Sequence, residues 1–351
     1  MSRLIRKHEH IINALRVAEK HDAAGFDDVT FVHNALPEVS GHNVSLETEI
    51  FGKKLQAPLV INAITGGGKV SAKINEGLAI CARETGLAMA VGSQTVAFEY
   101  PECAESFRIA RIIYPGGLLI ANVGAHVKPD TAMKAVDMIA ADALQVHLNA
   151  PQEMAMDEGD RDFSGWLRNI AAVVRKSKVP VIVKEVGFGL SLDTVRRLYE
   201  VGVRHFDTGG RGGTNFIAIE GMRSQQRVNP LVSWGIPTAS SLVEINSCCL
   251  AETIIATGGI NDGFEAAKAL ALGADAAGIA GTALKVLFDR DVGGLINRLE
   301  NIKASLKKIM QLVGVKKPAD LKTVPVVITG KTREWLTERG VDTTRYARRG
   351  R

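Results

Sequence analysis

The chain has 351 residues, of which 46% are apolar and 23% charged, with a formal net charge of +5; that is ample for a sizeable core and close to the composition of ordinary globular proteins. No apolar stretch is long enough to cross a bilayer, and the charged opening MSRLIRKHEH lacks the apolar centre of a secretory signal, so no membrane partner and a cytoplasmic location are expected. The four cysteines, Cys81, Cys103, Cys248 and Cys249, have no C-x-x-C spacing and read as reduced structural thiols rather than a zinc site or a disulfide framework.

In chain order, the pattern predicts a helix over Ile5–Glu19, followed by FVHNALPEVSG, a segment punctuated by Pro and Gly that reads as loop. Residues 1–56 are expected to cap whatever mouth the following fold presents. Arg6, Lys7 and His10 fall within one helical turn, and three potential cations on one patch suit a diphosphate.

From Ala57 onward apolar runs recur at Ala57–Ile64, Leu87–Val91, Leu118–Asn122, Ala143–Leu148, Val181–Val183, Val203–Phe206, Thr253–Ala256 and Ala274–Ile279. Amphipathic stretches separate most of them, among them Ala72–Glu84, Asp130–Ala140, Phe163–Lys176, Leu192–Val201 and Gly263–Leu272. Eight strand–helix alternations over about 225 residues match a (β/α)8 TIM barrel better than an open doubly wound sheet. With no internal repeat and no low-complexity linker, the chain reads as one α/β domain: a capping segment over 1–56, the barrel over 57–290, and C-terminal helices and tail over 291–351. The tail arginines Arg345, Arg348, Arg349 and Arg351 read as a frayed, solvated end and not as a nucleic-acid arm.

In such a barrel the active site is built at the C-terminal strand ends. The first strand ends in Thr65, Gly66 and Gly67, the second in Ser93, Gln94 and Thr95, the third in Asn122. The fourth alternates so that Gln145, His147 and Asn149 share a face, with Gln152 and Glu153 in the turn beyond. Glu153 is a candidate magnesium ligand, because one carboxylate with substrate phosphate and waters is a common arrangement for that ion. The fifth strand ends in Lys184, which is costly there unless paired or functional. It suits a position beside a cofactor ring or, alternatively, a Schiff-base role. Two glycine-dense turns, GGRGGT ending at Thr214 and ATGGIND with Gly258 and Gly259, followed by AAGIAG with Ala280 and Gly281, offer backbone N–H groups to a phosphate. Aldolases and flavoproteins both use such sites.

RKHEH, FVHNALPE, INAITGGG, LAMAVGSQ, ANVGA, ALQVHLNAPQE, PVIVKEVGFG, DTGGRGGTNF, SWGIPT, ATGGIND and AGIAG, in this order and nearly end to end, resemble the flavin-dependent type 2 isopentenyl-diphosphate isomerases. The resemblance implies a homo-oligomer, tetrameric or octameric, that uses FMN, NADPH and Mg2+ to interconvert isopentenyl and dimethylallyl diphosphate, with reduced FMN as acid and base. It also implies that Arg6, Lys7 and His10 grip the diphosphate, that Gln152, His147, Asn149, Ser93, Gln94 and Thr95 meet the substrate, and that Glu153 holds magnesium. Flavin contacts would fall to Thr65, Gly66, Gly67, Ser93, Asn122 and Lys184, with Thr214, Gly258, Gly259, Ala280 and Gly281 around its phosphate. Lys184, Gln152 and His147 would assist the flavin. Two rivals remain at this stage. One is a hydroxyacid-oxidase type of FMN enzyme, which needs arginines for a carboxylate; Arg211 is the one candidate. The other is a flavin-binding barrel without catalysis.

Overall fold

The computed structural model describes residues 12, 13, 15, 24–223 and 229–350. Eight parallel strands close into a barrel: β1 Leu59–Ile61, β2 Ala88–Ala90, β3 Leu119–Gly124, β4 Ala143–Leu148, β5 Val181–Glu185, β6 His205–Asp207, β7 Thr253–Thr257 and β8 Ala276–Ile279. They follow one another around the ring, and β8 returns to β1 with Gly278 opposite Val60 and Ile279 opposite Ile61. Outside lie α1 Lys69–Thr85, α2 Glu105–Ile113, α3 Pro129–Met138, the short α4 Ala150–Ala155, α5 Trp166–Lys176, α6 Leu192–Glu200, α7 Phe216–Arg223, α8 Thr238–Ser247, α9 Gly263–Leu272 and the long α10 Gly281–Leu312.

Local chemistry sets the helix limits. Asp262 caps α9 by accepting from the N–H groups of Phe264 and Glu265, and Ser191 caps α6 through Thr194 N–H. Pro129 opens α3, where its missing N–H costs nothing. Helix α10 is broken at Asp291, whose φ is +76°, and the Asp291 carboxylate restarts it by accepting from Gly294 N–H.

All eight expected runs are strands, with ends that differ by a few residues. The first is shorter than its apolar run because Ala63 and Ile64 leave the ladder to turn over the mouth, and the fifth is longer, so that Lys184 lies inside it.

The barrel interior follows the period of two. Val60, Ala90, Ile120, Ala143, Ile182, Ile255 and Ala276 form an apolar inner core. Two residues further along these strands stand Asn62, Gly92, Asn122, Gln145, Lys184, Thr257 and Gly278. The lumen thus changes from apolar to polar in one step toward the C-terminal ends.

Two sequence expectations change here. The segment before the barrel does not serve the mouth alone: the hairpin of Thr48–Ile50 and Lys53–Leu55 sends Ile50 and Leu55 into the apolar inner core, where Phe51 meets the edge of the His205 ring at 5.0 Å. His205 opens β6, so this hairpin closes the opposite, N-terminal end. The tail is not frayed. Val326–Ile328 pairs antiparallel with Val29–Phe31, and Tyr346 is fully buried, with the guanidinium carbons of Arg345 and Arg349 at 5.0 and 4.3 Å from its ring centre. Its hydroxyl accepts from Asn246 and Arg349 donates to the Ala271 carbonyl. An aromatic ring among arginines is what turned a charged end into a packed one.

Candidate active site

A cavity of about 270 Å³ opens at the C-terminal strand ends. Thr65, Ser93, Thr95, Asn122, His147, Asn149, Gln152, Glu153 and Lys184 line one part of it; Thr214, Gly258, Gly259, Ala280 and Gly281 line another. Residues from all eight strand ends meet there because parallel strands deliver all their C-termini to one face.

Three predicted residues stand behind this wall. Gln94 is fully buried, its Oε1 accepting from Asn122 N–H at 3.0 Å and its Nε2 donating to the Ala135 carbonyl at 2.9 Å. Both ends of its amide are thus spent on the protein, which removes Gln94 from the substrate-facing set. Gly66 lies against the Phe107 ring, which a Cβ would approach to 1.8 Å, and Gly67 N–H donates to Ser106 Oγ; both shape the turn behind Thr65. Arg6, Lys7 and His10 lie outside the described residues.

The two glycine turns pack backbone to backbone. A Cβ on Gly258, whose φ is +110°, would sit 2.1 Å from the Gly210 carbonyl oxygen, and one on Gly213 would sit 2.9 Å from Gly259 N. Beside them α10 begins with Ala280 at its N-cap and no side chain capping its first turn. Open N–H groups at a helix start, next to a glycine-floored hollow, form an anion cradle.

On the opposite side, α4 carries the polar group predicted after β4. Glu153 accepts from Asn149 Nδ2 at 2.8 Å through Oε1 and from Asp160 N–H at 3.0 Å through Oε2. Arg161 wraps the same loop, donating to the carbonyls of Glu153 and Met156 at 2.6 Å each. Asn149 Oδ1 is buried and has no partner among the described residues, as expected of a group reserved for a ligand.

Lys184 is buried at the junction of the two parts. Its Nζ donates to the Glu185 carbonyl at 2.5 Å and lies 3.9 Å from Asp207 Oδ2. Glu185, its neighbour, turns away from the lumen and accepts from Val186 and Phe188 N–H; burial pushes its carboxyl up to about 8 against the pull of those N–H groups and of Lys184.

Sequence reading passed over Asn62 and Asp207, which form the floor of the site with Gln145 and Thr257. Asp207 is fully buried and accepts from Asn62 Nδ2 at 2.7 Å and Gln145 Nε2 at 3.2 Å. The signal was available: each stands two residues beyond an inward-facing strand position. Arg211 does not reach the cavity. Its Nη1 donates to the Ser233 carbonyl at 3.2 Å, and no arginine lines the cavity among the described residues.

The closed barrel, the glycine cradle and a lysine at the fifth strand end define a flavin-binding barrel, and the FMN-dependent dehydrogenase family matches residues 121–327. The chain is 47% identical over 348 residues to an isopentenyl-diphosphate delta-isomerase of Geobacillus sp. (strain WCH70), covering 99% of both chains. It is 50% identical over 315 residues to the isopentenyl-diphosphate delta-isomerase of Moorella thermoacetica, covering 90% of this chain and 91% of the relative. Among solved structures, a flavocytochrome b2 mutant with pyruvate bound superposes with a TM-score of 0.70 at 17% identity, covering 95% of this chain and 85% of that one; this likeness concerns the fold. The chain belongs to the FMN-dependent isopentenyl-diphosphate delta-isomerase family. The residues present fit FMN: the closely packed glycine turns beside the uncapped start of α10 suit its phosphate, and Lys184 supplies a cation at the base of the cavity.

Proposed function

We propose that this enzyme interconverts isopentenyl and dimethylallyl diphosphate. The observation that carries the proposal is the convergence, across one cavity, of an anion cradle with the Asn149–Gln152–Glu153 group and His147. Moving the double bond adds a proton at one carbon and removes one from another, with no net redox change. Bound in reduced form, FMN would supply the acid–base chemistry that an unactivated alkene needs.

The chain's own residues bind, orient and neutralise. Gly258, Gly259, Ala280, Gly281 and Thr214 would hold the flavin phosphate, and Thr65, Ser93, Asn122 and Lys184 would border its ring, with Lys184 stabilising an anionic reduced form. Glu153 would hold a magnesium ion. No group of three potential metal ligands occurs among the described residues, so the ion would rely on diphosphate oxygens and water for its other positions. Gln152, Asn149 and His147 would orient the diphosphate end, joined by Arg6, Lys7 and His10. NADPH would reduce the flavin once, without consumption per turnover. We further propose a cytoplasmic homo-oligomer, tetrameric or octameric.

The absence of arginine from the described lining, with Arg211 turned to the Ser233 carbonyl, weighs against a hydroxyacid substrate. The test is anaerobic isomerisation of isopentenyl diphosphate with FMN, Mg2+ and NADPH, compared with each omitted. Dimethylallyl diphosphate in excess of NADPH consumed, formed only with flavin, is expected; flavin binding without product overturns the proposal.

A further inference from the structure

The polar ring on the barrel floor has a direction. An amide oxygen only accepts and its nitrogen only donates, so groups of a single kind dictate how the amides between them are turned. Two such groups bound this ring. The backbone N–H of Ala63 donates to Asn62 Oδ1 at 2.8 Å. At the other boundary, the Asp207 carboxylate accepts Gly209 N–H at 3.0 Å on Oδ1, and Asn62 Nδ2 at 2.7 Å and Gln145 Nε2 at 3.2 Å on Oδ2.

From these ends the rest follows without choice. Gln145 Nε2 faces two acceptors, Asp207 Oδ2 and Asn62 Oδ1, the latter at 3.0 Å. Its Oε1 must therefore face Asn122, whose Nδ2 donates to it at 3.2 Å. That leaves Asn122 Oδ1 toward His147 Nδ1, 2.7 Å away. An oxygen at that distance requires a proton on Nδ1. The Asn122 backbone cannot swing to relieve this, because Gln94 N–H donates to its carbonyl and Gln94 Oε1 accepts from its N–H.

We propose that Asp207 is a positioning residue for His147: acting through Gln145 and Asn122, it fixes the proton of the neutral imidazole on Nδ1. Nε2 is then the atom at which the ring gains or loses a proton. The neutral ring has no N–H at Nε2, so His147 donates from that atom to a diphosphate oxygen or a metal-bound water only after taking up a proton. This consequence rests on the cavity being a diphosphate site; the orientation of the ring does not. The arrangement is analogous to the way a carboxylate sets an imidazole tautomer directly, here through two amides.

The test uses the flavin-loaded full chain labelled with 15N-histidine and no substrate, with the imidazole nitrogens read by long-range 1H–15N spectroscopy. His147 is assigned by the resonance lost in His147→Gln. The native protein is expected to show a protonated Nδ1 and a bare Nε2 for the neutral ring; a neutral ring protonated at Nε2 overturns the proposal. In Asp207→Asn the one remaining oxygen is held by Gly209 N–H and Thr257, so a donor NH2 replaces the acceptor that faced Asn62 and Gln145, and the tautomer ratio is expected to move toward Nε2–H by about tenfold or more, the weight of one oriented hydrogen bond. Should that variant fail to fold, Gln145→Met breaks the relay while leaving Asp207 accepting from Asn62 Nδ2, Gly209 N–H and the Thr257 hydroxyl, and the same movement is expected. An unchanged ratio in folded, flavin-loaded Gln145→Met overturns the relay. Because the spectrum needs no turnover, failed isomerisation in the separate assay removes the diphosphate reading and not the relay.

Discussion

Gly258→Ala is the sharpest test of the cradle. At φ of +110° the backbone is strained for any L side chain, and the new methyl would lie 2.1 Å from the Gly210 carbonyl oxygen and 2.6 Å from Thr238 Oγ1. Against the ~3.5 Å of an ordinary contact, the two glycine turns must separate by about 1.4 Å. The strain costs roughly 1–3 kcal/mol, and forcing an extra carbon into a filled space costs roughly another 1–3 kcal/mol. Gly68→Ala is the control: its φ is +85°, but a Cβ there meets nothing within 4 Å, so it bears the strain alone. An unfolding entropy of ~2.1 cal/mol/K per residue makes each kcal/mol worth about 1.4 °C for a chain of this length. Tm is then expected to fall by about 3–8 °C in Gly258→Ala and by about 1–4 °C in Gly68→Ala. Opening the turns also spoils the hollow for a phosphate, so FMN affinity is expected to drop at least about tenfold in the first variant, roughly 1.4 kcal/mol, and to stay native in the second. Scanning calorimetry and flavin fluorescence titration of the apoprotein measure both. Equal Tm losses, with native FMN affinity in Gly258→Ala, refute the assignment of this turn to the cradle.

Four further outcomes are expected. Glu153→Gln should raise the Mg2+ concentration needed for half-maximal rate by no less than the ~10–100-fold that loss of an outer-shell partner costs; an unchanged Mg2+ requirement would assign Glu153 to the substrate instead. His147→Gln, folded and flavin-loaded, should lose turnover by about tenfold, short of the ~10²–10⁴-fold contribution of an essential general acid; complete inactivity would make the imidazole that acid. The Glu185 carboxyl, pushed from 4.5 up to about 8 by burial, keeps its proton in the folded chain after the unfolded chain has released it. Stability therefore declines as pH rises through that window, and Glu185→Gln should flatten the decline in urea unfolding across it; a native slope in the variant would contradict the buried placement. Tyr346→Ala, which empties a fully buried site, should cost about 3–5 kcal/mol and lower Tm by about 4–7 °C; a loss within about 1 °C would mean that the tail frays after all.

Periodicity determined much of this protein before any tertiary contact was known. Eight apolar runs spaced by amphipathic stretches specify a (β/α)8 barrel, because each parallel strand needs a crossover to return and each crossover leaves an amphipathic stripe. Polar residues at the run ends were legible as site candidates for the same reason: strand alternation carries them inward, and parallel order brings them to one rim. Only the tertiary structure decided which of them face the cavity. Ser93, Gln94 and Thr95 are adjacent in sequence, yet Gln94 is consumed by Asn122 and Ala135 across the barrel wall. Asp207 and Asn62 escaped notice because their roles depend on partners 145 residues apart. The tail shows the same limit, since its charge suggested solvent until Asn246 and the Ala271 carbonyl supplied partners for Tyr346 and Arg349. A sequence states what each residue is able to donate, accept or bury; long-range packing decides who takes it, and so which polar residue becomes wall and which remains for a ligand.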